Sequence, residues 1–213
     1  MSTQSQNRLP SVAAARQRTR FMIQVTMLCA IQFVMQMVPF LGFIPLGFVN
    51  LTTLHLPVIL AGSLLGAKAG AIVGLCFGVI SLVRATLNPT LLSFWFSPFV
   101  PGGNAFSAVI AIVPRIMLGV IAAWVFHALK EKNMRFAAAG VAGLVATLMH
   151  TLLVLGGVAL FLSATSMEVL GLPAIVPFLI GIVTSNGIFE ALLAMAVNTV
   201  LVRVLYPLVH KRV

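Results

Sequence analysis

Along this chain the charged positions fall in brief clusters, and apolar positions run between them for long stretches. No Asp, Glu, Lys or Arg occurs between Arg20 and Lys68, between Arg84 and Arg115, or between Arg135 and Glu168. About 20 apolar residues in a helix cross the hydrocarbon core of a bilayer. A helix is accepted there because it satisfies its own backbone hydrogen bonds. The pattern therefore predicts an all-α, polytopic membrane protein with spans near 20–38, 54–66, 69–84, 105–128, 137–162 and 175–205. The second span is short and has Pro57 in its first turn. A Gly66-Ala67-Lys68 turn folds the third span back beside it as an antiparallel neighbour.

Composition agrees with the pattern. Of 213 residues, 61% are hydrophobic and 8% charged, against roughly 25% charged in a soluble domain. The net charge of +10 would suggest nucleic acid in a soluble protein. In a membrane protein it marks orientation, because basic residues collect on the cytoplasmic side. With six spans and an inner N-terminus, the inner segments hold Arg8, Arg16, Arg18, Arg20, Lys68, Lys130, Lys132, Arg135, Arg203, Lys211 and Arg212, eleven of the thirteen basic residues. Both termini are thus expected in the cytoplasm. A basic segment 1–19 precedes a single six-helix domain over 20–213. The run from Phe21 to Val38 lacks a small-x-small cleavage site and is read as a retained helix. Cys29 and Cys76 fall inside apolar segments and read as small core residues.

The outer connections, 39–53 and 85–104, are long, uncharged and rich in Pro, Gly and Phe. Their Pro, Asn and Gly punctuation favours ordered lids folded over the bundle. Anchoring of Trp95 and the Phe residues at the membrane interface is the competing reading.

Charged groups inside a bilayer are costly and mark functional positions by default. Arg115 and Glu190 fall at matched depth in the fourth and sixth spans and are expected to pair. They either fasten the bundle or present a guanidinium, oriented by the carboxylate, to an anionic ligand. His150 lies at similar depth in the fifth span. Asn186 sits one turn from Glu190 in a Thr184-Ser185-Asn186 cluster. Arg84, Asn88 and Asn104 bracket the second outer loop, and His55 begins the second span as a cap or interface residue. The candidate ligand-binding set is therefore Arg115, Asn186, Glu190, Arg84, Asn88, His150, Trp95 and Asn104. The turn at 66–68 lacks the spacing of a phosphate loop, and no strong nucleophile or metal constellation is present. Glu131, Glu168 and Glu190 are too scattered to hold a metal. No cofactor, catalytic residue, metal site or nucleic-acid partner is expected.

Several stretches carry a resemblance. Thr52-Thr53-Leu54-His55-Leu56-Pro57-Val58-Ile59, with Leu64-Leu65-Gly66-Ala67-Lys68-Ala69-Gly70, resembles the second and third helices of the substrate-binding S components of energy-coupling factor vitamin transporters. Asn88-Pro89-Thr90, Phe96-Ser97-Pro98-Phe99 and Val113-Pro114-Arg115-Ile116 resemble the same family, most of all its pantothenate-specific branch. The resemblance runs from about residue 20 onward. It implies a vitamin bound from outside between the outer loops and the fourth to sixth helices. It also implies a transmembrane coupling subunit (EcfT) and two ATPase subunits (EcfA and EcfA'), which bind the ATP. The family docks its first helix through an A-x-x-x-A pattern, for which Thr26-x-x-x-Ala30 stands here. Alternatives are an S component for a pyridoxine-like compound or cobalamin, a membrane-embedded enzyme using His150 and Glu190, and a self-assembling channel or assembly factor.

Overall fold

The computed structural model describes residues 12–38, 41–45, 50–130 and 134–209. Arg8, Lys132, Lys211 and Arg212, with Glu131 and most of the segment 1–19, lie outside the described residues. The elements run α1 (Val12–Met37), β1 (Phe43–Pro45), β2 (Asn50–Thr52), α2 (Leu56–Leu65), α3 (Ala67–Leu87), α4 (Ala105–Leu129), α5 (Arg135–Phe161), α6 (Ser163–Leu170), α7 (Ile175–Ile182) and α8 (Ile188–Val209). A π-helical turn, Val183–Gly187, joins α7 to α8. Among the described residues, five helices are long and apolar enough to cross a membrane: α1, α3, α4, α5 and the continuous α7–α8.

The sequence reading is corrected at three places. The span expected near 54–66 is a helix of 10 residues, roughly half a bilayer long. It is buried from Pro57 through Leu64, so its faces meet other helices and it has no lipid-facing stripe. The last span is not a regular helix, being broken at mid-length by the π turn. Two elements went unanticipated: the short helix α6, and a hairpin in which Phe43 pairs with Thr52 and Pro45 with Asn50.

Arg20 donates to the Leu208 carbonyl (2.9 Å), so the start of α1 and the end of α8 share one end of the bundle. The hairpin, the segment 88–104 and α6 lie at the other. The larger apolar core occupies the termini end and the middle, around Val58, Ile59, Leu118 and Phe126. A second cluster, Phe94, Trp95, Ile110, Val158 and Leu162 among it, fills the space beneath the segment 88–104.

Small residues set the helix spacing. A Cβ on Gly70 would lie 2.5 Å from the Gly119 carbonyl oxygen, and one on Gly78 would lie 2.8 Å from that of Ala111. Backbones of α3 and α4 therefore touch, as small residues permit between membrane helices. Gly143 makes a similar approach between α5 and Ala194 of α8. Gly66, at φ +92°, supplies the reversal from α2 into α3 that a side chain would strain.

Candidate functional site

A cavity of about 620 Å³ opens between the hairpin, the segment 88–96 and the middles of α3, α4, α5 and the α7–α8 helix. Its position follows from the packing below it. Gly74 of α3 sits directly against the carbonyl of Arg115, which fixes that turn of α4. The Arg115 side chain then extends along the cavity floor. Nη1 donates to the Ile110 carbonyl. The guanidinium lies 5.6 Å from the Phe77 ring centre and 4.7 Å from that of Phe96, within reach of cation–π attraction. Arg115 is 6% exposed, and its Nε has no hydrogen-bond partner. Its position and bonding leave donor capacity for a ligand.

The expected pairing of Arg115 with Glu190 does not occur. Glu190 Oε1 accepts from the backbone N–H of Thr52 (2.9 Å), while Arg115 bonds within its own helix. Helix depth alone placed the two together, and the hairpin supplied a nearer donor.

Arg84, Asn88, Trp95, Arg115, His150, Asn186 and Glu190 all line the cavity. Trp95 is buried. Its Nε1 donates to Ser166 Oγ of α6 (3.0 Å), and its ring meets Phe178 edge-on. Interfacial anchoring is therefore not its role. The ring belongs to the packed cluster and turns one side to the cavity. Arg84 stacks over the Phe43 ring at 4.8 Å, near the hairpin.

Asn104 stands apart from this set. It caps α4, accepting from the Phe106 N–H (2.9 Å), while its own N–H donates to Ser107 Oγ (3.0 Å). Such a capping box satisfies the helix start, and Asn104 is not among the cavity residues. Thr184 and Ser185 also separate from Asn186. Their hydroxyls donate back to the Ile180 and Gly181 carbonyls, and both residues are exposed on the bundle surface.

The π turn explains how Ile182, Asn186 and Glu190 all reach one cavity. Four α-helical residues over-rotate by about 40°, so two such steps would swing a side chain well off the line. A wider turn with i→i+5 bonds takes up that drift. Thr26 and Ala30 lie on the exposed face of α1.

Reading the sequence passed over Gln36, Ser81 and Phe77, which also line the cavity, and left His55 as a cap or interface residue. His55 precedes α2 without capping it through its side chain, and its buried Nε2 has no partner. Gln36 accepts from Ser81 Oγ (3.4 Å) and its Nε2 is unpartnered. The signal was present: Gln32 and Gln36 stand one turn apart on one face of an apolar helix. Buried polar groups without partners are uncommon. Here Gln36, His55, Arg115 and His150 gather four around one space. A mainly apolar chamber with a few convergent polar groups is the form of a small-molecule site.

Comparison with known proteins adds identity to this geometry. Residues 20–206 match the family model for the ECF transporter, substrate-specific component. The chain is 38% identical over 157 residues, 71% of its length, to the pantothenic acid transporter PanT of Lactococcus lactis subsp. cremoris (strain MG1363), covering 75% of that protein. It is 30% identical over 204 residues, 91% of its length, to the pantothenate transporter PanT of Leuconostoc mesenteroides subsp. mesenteroides, covering 96% of it.

Proposed function

The chain belongs to the family of ECF-transporter substrate-specific components, and from that premise we propose that its cavity binds pantothenate for import. The observation that carries this is Arg115, a buried guanidinium without a carboxylate partner at the floor of a largely apolar chamber. Pantothenate brings the carboxylate such a group accepts in bidentate form. Its hydroxyls and amide suit Asn186, His150 and Asn88, with Arg84 adding charge near the hairpin. Its gem-dimethyl carbons suit Trp95 and the Phe rings. Two relatives that bear the name of pantothenate transporters support the choice of vitamin.

In this reading α2 and the hairpin that leads into it together complete the sixth passage through the plasma membrane of a prokaryote. The termini end, rich in basic residues, faces the cytoplasm, and the cavity opens outside. A coupling subunit docks on α1 at the face bearing Thr26 and Ala30, and two ATPase subunits supply the energy. This chain binds no ATP itself and is not an enzyme.

Calorimetric titration of the detergent-purified chain tests the proposal. Pantothenate is expected to bind tightly, and Arg115→Ala to weaken it about a hundredfold, as for loss of one partner of a buried charge pair. Full-strength binding by that variant would remove Arg115 from the site. Binding of a different vitamin alone would remove the specificity and leave the family membership intact.

A further inference from the structure

Arg115 bonds within its own helix, but Glu190 reaches from α8 to the hairpin. Its acceptor role follows from the hairpin's register. An antiparallel ladder alternates between residue pairs that exchange backbone hydrogen bonds and pairs that exchange none. Thr53 N–H donates to the Gly42 carbonyl (3.0 Å), one step beyond the Phe43–Thr52 pair. The Phe43–Thr52 pair is therefore of the non-bonded kind, and the Thr52 amide points away from β1. An outward amide at a strand edge needs an acceptor from elsewhere. The Glu190 carboxylate, from the first turn of α8, provides it at 2.9 Å.

The other attachments of the hairpin are at its root and on α3, where Arg84 lies over the Phe43 ring. Thr53 Oγ1 donates to the Leu41 carbonyl (2.6 Å), and Gly42 packs against Met35 and Leu54, beside the ends of α1 and α2. Among the described residues, the Thr52–Glu190 bond is the hydrogen bond that joins the hairpin to α8. Phe43, Thr52, Leu54 and His55 all line the cavity, so the position of the hairpin determines whether that side is closed.

We infer that Glu190 is a positioning residue: it latches the β1–β2 hairpin across the cavity through the Thr52 amide, and so governs how long a ligand stays. It acts on the ligand through the hairpin. The ligand arm of the test rests on the pantothenate reading above, whereas the hairpin arm does not.

The experiment measures amide hydrogen exchange at Thr52 in the full, ligand-free chain in detergent, together with pantothenate association and dissociation rates. Glu190→Met keeps the length of the side chain and removes the acceptor. Exchange at Thr52 is expected to rise about tenfold or more, the size of a hydrogen bond to a charged acceptor, while exchange at Ser93–Trp95 stays unchanged. Pantothenate dissociation accelerates by a similar factor, and association is not slowed. Glu190→Gln retains an oxygen acceptor and falls between the two. Wild-type exchange at Thr52 in the Met variant would overturn the latch, as would an affinity loss confined to the association rate. If the Met variant loosens throughout, Glu190→Gln decides: faster exchange at Thr52 alone supports the latch, and an unchanged rate overturns it. Failure of the wild-type chain to bind pantothenate would defeat the proposed substrate and leave the exchange measurement to judge the latch.

Discussion

On α4, Gly119 meets the backbone of α3 with no side chain between them, whereas Arg115, one turn away, holds its guanidinium at the edge of a cavity of about 620 Å³. The two halves of the bundle are built on opposite rules. Toward the chain ends, Gly and Ala bring backbones together and fully buried residues such as Leu118 and Phe126 fill what remains. Asn198 there donates to the Ala139 carbonyl (2.7 Å) and to Ser63 Oγ (3.2 Å), while its Oδ1 has no partner. Around the cavity, by contrast, side chains stand away from one another and several buried donors remain unmatched. Close packing in one half is what keeps the other half open. A rigid seam holds Arg115 in place so that the space beside it need not be filled.

Substitutions that exchange the rules of the two halves test this contrast. The largest effect belongs to Gly70→Leu, which forces a branched side chain into a backbone contact. It should lower stability by about 3 kcal/mol or more, read as a large drop in the melting temperature of the detergent-solubilised chain, whatever ligand is present. Arg115→Ala should do the reverse. Pantothenate affinity falls about a hundredfold, while the ligand-free melting temperature stays level or rises, since an unpaired buried charge is lost. A melting temperature that collapses with the affinity would show that Arg115 fastens the bundle. Trp95→Phe removes the bond to Ser166 and should cost about 1 kcal/mol, with a several-fold loss of affinity in the same titration. Asn186→Ala should weaken binding about tenfold, the size of one lost hydrogen bond. Thr184→Ala and Ser185→Ala, beside it but turned outward, should leave binding within about twofold. Equal effects at all three positions would mean that the π turn does not sort them.

The positions of the long helices could be read from the chain because charge is excluded from lipid, and its reappearance marks where each helix leaves it. The same logic found Arg115, Glu190, His150 and Asn186, which the structure gathers around one cavity. It failed where the determining contact lies between segments distant in sequence. Glu190 and Thr52 are 138 positions apart, and nothing in the local pattern of either foretells a bond to a backbone amide. Asn104 misled for the opposite reason. Its local role as a cap was legible in the Asn104-x-x-Ser107 spacing, but its place beside a loop made it resemble a ligand contact. The hairpin escaped notice because its strands are three residues each, too short for an alternating pattern to register.

The π turn has one more consequence. Within Val183–Gly187 the helix carries one residue more than regular winding needs. Deleting a single residue there would let α7 and α8 close into one uninterrupted α-helix, without a break in the span. Because the widened turn already absorbs the extra residue, α7 and α8 would keep their faces, and what would change is which side chains of Val183–Gly187 meet the chamber. In this stretch the number of codons matters more than what they encode. A descendant that lost one would keep its place in the membrane and present a different wall to whatever enters.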